Sequence, residues 1–424
     1  MSNIIIIYPR PDEYKKPRFG FSYDMMTIAT VLSNEGHRIL LKDYSCEPFC
    51  NDDFSKEIAE YKIDLAIIEF DSFALKRSEN YTHGLELVKI VKCLNERIKV
   101  VAYGHYCCIS KKDIDTADIT IKENRVDLII DAIVKTESIK GELPRLNDLD
   151  SLPVINRMLL DQIEFYKQNS KSTLVRTADG CENTCVFCQR KGWQKKFQVH
   201  SDQYVLNEFK LLKEQGFINI WIIDENFTFN LARAKRILTL FIEQKVTEKM
   251  KISISSWSNI DNEFLDLASK ANVRVISMGI ESGNQQILDF YKKNIDLQKT
   301  KKIVRYANKL GIFTIGNFII GAPMETYETI EETFLYIREC EFDQVNIKTL
   351  DYMMGSQLYD SVMDMAKGRS HLFACLENGL NRFAFQEILD IKHNFLADYN
   401  AEKKDRVSNK MRQFGTPYDL FTPY

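Results

Sequence analysis

The sequence has no long apolar run. None approaches the roughly 18 residues needed to span a bilayer, and the first, Ile4 to Tyr8, stops at Pro9. That stretch is too short for the apolar part of an export signal and lacks a cationic segment before it, so a soluble, cytoplasmic protein is expected. Charge of one sign is also lacking: 57 Lys and Arg stand against 60 Asp and Glu, a net of -3. No global field draws in polyanions, so neither nucleic acid nor a membrane is an expected partner. With 45% hydrophobic and 28% charged residues, the disordered and collagen-like classes are excluded. At roughly 150 residues per domain, 424 residues leave room for two or three. Ten cysteines in a chain without an export signal read as thiols or metal ligands rather than as a disulfide framework.

What is present is an alternation of strands and helices. Ile4–Tyr8 reads as a strand, Met25–Glu35 as a helix stopped at Gly36, and Arg38–Tyr44 as a second strand. Leu65–Phe70, a helix with Leu87, Ile90, Val91 and Leu94 on one face, and Lys99–Gly104 continue the pattern. Helices between parallel strands predict an α/β, doubly wound (Rossmann-like) domain over 1–140, with ligands at the carboxyl ends of the strands. The polar, proline-punctuated stretch Glu142–Pro153 marks a linker, set at 141–170. A second series follows over 171–369, with strands at Thr173–Arg176, Ile218–Ile223, Lys251–Ser256, Val273–Gly279, Phe313–Ile320 and Val345–Leu350. Six βα units in about 180 residues are too few for an eight-fold barrel, and a partial (β/α)6 barrel is expected. From 370 to 424 the pattern is helical.

The informative cysteines are Cys181, Cys185 and Cys188, where the first strand of the second series ends. Three thiolates at this spacing suit three irons of a cubane cluster and leave the fourth iron open. A zinc site would require a fourth Cys or His, for which His200 is the near candidate, and chance spacing is the remaining alternative. The other seven cysteines form no second such triplet, so an auxiliary cluster is not expected. Trp193, Trp221 and Trp257 read as packing residues.

From about 170 to 360 the chain resembles the radical SAM superfamily, whose C-x3-C-x-aromatic-C loop is matched with Phe187 as the aromatic. Glu281 and Ser282 in Met-Gly-Ile-Glu-Ser-Gly resemble the family's Gly-Ile-Glu-Ser signature. Asp224, Glu225 and Asn226 resemble its acidic/amide segment after the second strand. Gly321-Ala-Pro-Met-Glu325-Thr resembles the Gly-x-Pro-Gly-Glu-Thr turn, with Met324 in place of a glycine, and Met354-Gly355-Ser356 stands where many relatives have Pro-Gly-Thr. The resemblance implies a [4Fe–4S] cluster on the three cysteines and S-adenosyl-L-methionine (SAM) held by Phe187, Asp224, Glu225, Asn226, Ser256, Glu281, Ser282 and Asn317. It also implies an external one-electron reductant of flavodoxin or ferredoxin type. Singly, such residues have ordinary alternatives, since a strand-end Glu also serves as a cap or a solvated side chain.

Most of residues 1–150 is similar to the domain that precedes the core in cobalamin-binding radical SAM enzymes. Gly36-His37-Arg-Ile, Gly104-His105-Tyr106, Asp118-Ile-Thr-Ile-Lys122-Glu123 and Asp148-Leu-Asp-Ser-Leu-Pro153 carry the likeness. The resemblance implies a corrin site at Ser72, Phe73, Gly104, His105 and Tyr106, without a lower histidine from an Asp-x-His-x-x-Gly loop, since Tyr8-Pro-Arg-Pro-Asp12 follows the first strand. A glycine at a strand end is equally a simple turn, a loop histidine is equally solvent-bridging, and Ser72 and Phe73 suit a cap and a core contact. Cys107 and Cys108 lie near the same strand end, where small buried thiols are the ordinary reading.

The function so implied is a cobalamin-dependent radical SAM C-methyltransferase acting on an unactivated carbon of a small biosynthetic metabolite. One SAM yields the 5′-deoxyadenosyl radical, methylcobalamin supplies the methyl group, and a second SAM restores it. A non-methylating radical enzyme, for cyclisation or rearrangement with a bound or vestigial cobalamin domain, would release deoxyadenosine without S-adenosylhomocysteine. A non-catalytic iron–sulfur or cobalamin-binding module would release neither. Phe373, Phe383 and Phe385 are candidates to line a substrate cavity or simply to close the barrel.

Overall fold

The structure is a computed structural model, and it describes residues 1–9, 21–45, 48–70, 79–123, 126–135, 148–169, 171–192 and 197–415. The chain divides into two compact units, Met1–Leu174 with Gly192–Tyr204, and Val175–Lys191 with Val205–Tyr424.

The first unit is built on five parallel strands, β1 (Asn3–Tyr8), β2 (Arg38–Asp43), β3 (Leu65–Glu69), β4 (Lys99–Tyr103) and β5 (Ile119–Thr120), in the order β2-β1-β3-β4-β5. That is the doubly wound order, with the switch point between β1 and β3. Ile4–Ile7, Leu65–Ile68 and Val100–Ala102 are fully buried, the signature of a parallel sheet covered on both faces. The helix Tyr23–Asn34 starts where Ser22 Oγ accepts the Met25 N–H at 3.2 Å, and the chain then turns at Glu35 and Gly36. Of the stretch expected as a linker, the described part carries short turns at Leu149–Ser151 and Arg157–Leu159 and a helix at Ile163–Asn169. These pack within the first unit: Tyr166 Oη donates to Asp43 Oδ2 at 2.7 Å, and the buried Arg157 donates to Thr173 Oγ1 at 3.0 Å and to the Leu174 carbonyl at 2.7 Å.

A second parallel sheet contains β6 (Ser172–Val175), β7 (Asn219–Ile222), β8 (Lys251–Ser256), β9 (Val273–Glu281), β10 (Phe313–Ile320) and β11 (Gln344–Thr349), in the order β11-β10-β9-β8-β7-β6. The division between the units falls within β6. The six strands run in sequential order, the arrangement of a partial barrel. One face, with Ile222, Ile254, Ile276, Met278, Ile280 and Ile320, is buried. The other carries Ser255, Ser277, Asn317 and Asn346, all partly exposed.

The C-terminal region is dominated by the helix Phe385–Phe414, 30 residues long. It is fastened to the barrel by Asp343, whose carboxylate takes Arg406 at 3.0 Å and Lys410, and by Tyr399 Oη donating to the Phe342 carbonyl at 2.6 Å. One element departs from a purely helical tail. β12 (Asp351–Met353) pairs antiparallel with β13 (His371–Phe373), a three-residue ladder too short to show a period in the sequence. The three phenylalanines pack with aromatic neighbours, Phe373 against Phe385 at 4.5 Å and Phe383 against Tyr327 at 4.9 Å between ring centroids.

Candidate active site

In the second unit the segment around Gly180–Cys188 contains almost no regular structure, so its shape is imposed by its surroundings. Asp224, wholly buried just beyond β7, accepts the Thr177 and Ala178 N–H groups at 2.7 and 3.1 Å and the Thr177 hydroxyl. Arg233 adds a bond to the Thr177 carbonyl at 2.9 Å. Together they fix the chain just before the cysteines. Burial raises the carboxyl of Asp224 above its ordinary range, and its donors pull the other way.

Within the loop, Asn183 Nδ2 donates to Cys181 Sγ at 3.3 Å, and the Cys188 N–H closes a tight turn on the Cys185 carbonyl at 3.2 Å. All three thiols are half-buried. Burial pushes Cys185 up to about 12 and raises Cys188 as well; each also feels the charge of Cys181 and of Glu281. Metal binding displaces the proton of a raised thiol, so Cys185 and Cys188 suit a soft, multiply charged cluster. Among the described residues no three Cys, His, Asp or Glu side chains converge as ligands of one ion. His200, the candidate fourth ligand for zinc, has its ring bonded to Asp150 at 3.2 Å and stacked on Tyr204 at 3.8 Å.

At the end of β9 the register shifts between Gly279 and Glu281, and Glu281 takes a left-handed φ of 75°. A non-glycine residue held there is a strained one, and strain of this kind concentrates at functional sites. Its Oε1 lies 3.3 Å from Lys293 Nζ, and the same ammonium sits 3.8 Å from the centre of the Trp257 ring. A Cβ at Gly279 would stand 2.8 Å from Glu281 Oε1, so a side chain there would press on the carboxylate end. Sequence reasoning missed Lys293, because a Lys-Lys pair after a helix reads as solvated, and it treated Trp257 as packing. A buried lysine beside a strand-end glutamate is legible only in three dimensions.

Trp257 links this pair to other expected residues. Its N–H donates to Asn226 Oδ1 at 3.2 Å, and its carbonyl accepts from Ser256 Oγ at 2.6 Å. Asn226 also accepts from Thr228, and Glu225 pairs with Arg190 at 2.9 Å, close to the cysteines in sequence. Ser282 is turned into its own turn: its hydroxyl meets Thr333 Oγ1 at 3.1 Å and accepts the Asn284 N–H. Asn317 donates to Ser277 Oγ at 2.9 Å and to the Met278 carbonyl, and accepts from Asn346 at 3.0 Å. Phe187 packs edge-on against Tyr291 with centroids 5.2 Å apart. Thus Asn226, Ser256 and Glu281 meet around Trp257, whereas Asp224 spends its oxygens on the strand before the loop.

In the first unit, Gly104 follows β4 with φ 116°, and a Cβ there would stand 2.6 Å from the Phe70 carbonyl oxygen. His105 begins the short helix His105–Ser110, and Tyr106 lies over Tyr81 at 4.3 Å. Ser72 and Phe73 lie outside the described residues. His37 is buried and accepts the Ser2 N–H at 3.3 Å; burial lowers its pKa. Burial also raises the Cys107 and Cys108 thiols, as for core residues.

Residues 175–337 match the radical SAM superfamily. An uncharacterized methyltransferase of Pyrococcus horikoshii is 27% identical over 84% of this chain and 82% of its own length. Cytidylyl-2-hydroxyethylphosphonate methyltransferase of Streptomyces wedmorensis is 22% identical over 94% and 89%. In fold, the chain is similar to the radical SAM methyltransferase TsrM of Kitasatospora setae, solved with cobalamin and a [4Fe–4S] cluster, with TM-score 0.71, 16% identity and coverage of 87% of this chain and 79% of the other. The matched stretch takes in the cysteine loop and Glu281, so residues 175–337 form a radical SAM domain, and the protein is an enzyme that uses a [4Fe–4S] cluster and SAM.

Proposed function

We propose that this enzyme is a cobalamin-dependent C-methyltransferase acting on an unactivated carbon of a small biosynthetic metabolite. The observation that carries the reading is the reach of the methyltransferase likeness, which runs through the N-terminal sheet as well as the core. The strand end at Gly104, where the Phe70 carbonyl packs in the place of a side chain, supports it as the kind of position at which a doubly wound sheet takes a ligand. His105 and Tyr106 stand beside that glycine, and Ser72 and Phe73 complete the proposed corrin contacts.

When bound, the cluster supplies an electron to the SAM sulfonium and cobalamin supplies the methyl group. Cys181, Cys185 and Cys188 hold the cluster. Glu281 offers a carboxylate to the ribose hydroxyls or the ammonium of SAM, and Lys293 offers a cation to its carboxylate. Asn226 and Ser256 hold the Trp257 backbone, so the ring under Lys293 is fixed before the ligand arrives. Val186 and Phe187, packed between the second and third cysteines, shield the site from water. The electron comes from an external flavodoxin- or ferredoxin-like donor.

The test is anaerobic incubation of cluster-reconstituted, cobalamin-supplemented protein with SAM and a strong reductant, with both nucleoside products quantified by mass spectrometry. Deoxyadenosine together with S-adenosylhomocysteine supports methyl transfer. Deoxyadenosine alone would sink that reading in favour of a non-methylating radical enzyme.

A further inference from the structure

The cysteine loop is held from one side by a residue that neither its motif nor the SAM contacts account for. Tyr291 ends the helix Gln285–Tyr291, after which Lys292 turns left-handed with φ 56°. A last-turn carbonyl has no acceptor role left inside its helix, and the Tyr291 carbonyl instead accepts the Val186 N–H at 3.4 Å. The Tyr291 ring meets the Phe187 ring edge-on at 5.2 Å and 83°. One side chain and its own carbonyl thus engage both residues between Cys185 and Cys188. From the other side the Leu358 N–H bonds the Val186 carbonyl at 3.0 Å, and Gln189 bonds the Met354 carbonyl at 3.0 Å.

The far end of the same side chain is unusual. Tyr291 is fully buried, and its hydroxyl finds no hydrogen-bond partner among the described residues. Glu325 is also fully buried; its Oε2 accepts the Gly321 and Ala322 N–H groups, while its Oε1 is likewise unpartnered. Burial raises the Tyr291 hydroxyl well above its usual value, and the charge of Glu325 adds to it. Burial pushes Glu325 up to about 7 against its two backbone donors. Tyr291 and Ala322, whose N–H Glu325 accepts, belong to one buried core cluster, and native interiors satisfy unpaired buried polar atoms with water.

We propose that Tyr291 is a positioning residue for the cluster loop, a strut whose carbonyl and ring edge fix Val186 and Phe187 and whose hydroxyl is anchored on Glu325 through one buried water. Loop position then depends on the turn after β10, so the cluster environment and the Gly321–Thr326 turn are mechanically joined. The inference rests on the iron–sulfur assignment and is independent of methyl transfer.

The experiment compares Tyr291→Leu, Tyr291→Phe and Glu325→Gln in the full-length protein after anaerobic cluster reconstitution. Iron and sulfide per chain are counted, and the electron paramagnetic resonance spectrum of the reduced cluster is recorded with and without SAM. Tyr291→Leu is expected to lose most of its iron. Tyr291→Phe should keep wild-type iron but change the spectrum, and Glu325→Gln should shift it in the same direction. Wild-type iron and spectrum in Tyr291→Leu would overturn the strut. If that variant does not fold, the other two decide: a common spectral shift supports the proposal, and wild-type spectra in both overturn it.

Discussion

The two parallel sheets of this chain spend their faces differently. In the first unit both faces are apolar and buried, so all that remains for ligands is the row of strand ends, where Gly104 sits. In the second one face is apolar and buried, while the other mixes buried Val275 and Ile315 with partly exposed polar residues. That mixed face carries a directed chain of amides in which Gln344 donates to Asn346 at 3.2 Å, Asn346 to Asn317 at 3.0 Å and Asn317 to Ser277 at 2.9 Å. A doubly wound sheet presents chemistry at an edge, whereas a partial barrel can line a chamber with it. That difference suits a flat cofactor on one unit and an enclosed radical reaction on the other.

The largest expected effect separates the units by their cofactors. Cys185→Ala should abolish iron binding and deoxyadenosine formation while leaving corrin absorbance with the protein; a variant with full iron content would break the assignment. Next, Ile276→Ala, on the buried face of β9, should lower stability by about 3 kcal/mol. Asn346→Ala, on the polar face, should cost only about 1 kcal/mol. Denaturant midpoints check both, and equal losses would remove the distinction between the faces. Gly104→Ala should cost about 2 kcal/mol, since φ 116° and the Phe70 carbonyl both oppose a side chain. It should weaken corrin retention without loss of iron, measured by absorbance after gel filtration.

The smallest effect concerns pH. Glu325 is raised from 4.5 to about 7, so the folded state holds a proton that the unfolded state has released in that interval. Its contribution is therefore full below pH 4.5 and is lost as pH rises through 7. Thermal midpoints of the wild type should fall between pH 5 and 8, and those of Glu325→Gln should fall less. Parallel curves for the two proteins would show that Glu325 does not titrate there.

Much of the fold was legible because parallel strands buried on both faces are continuous apolar runs. Ile4–Tyr8 and Leu65–Phe70 are read directly from the sequence, and the structure places strands at Asn3–Tyr8 and Leu65–Glu69. The second series was equally plain, its strands falling within a residue or two of the expected spans. The ladder of β12 and β13 was not, since its partners are separated by two short helices and three residues show no period. In the site, the cysteine spacing was readable because three cysteines on one loop are a local pattern. Lys293, Trp257 and Tyr291 were not, because each acts through a neighbour distant in sequence.

What the sequence by itself determined is therefore whatever repeats or clusters locally: the order of strands and helices, the cysteine triplet, and the glutamate after Gly279. Only the tertiary structure decided that Asp224 clamps Thr177, that Glu281 takes a left-handed backbone against Lys293, and that the Tyr291 carbonyl takes the Val186 N–H. Periodicity records which face a residue turns to the core. Pairing between buried polar groups depends on which strands become neighbours, and that is settled when the sheet assembles.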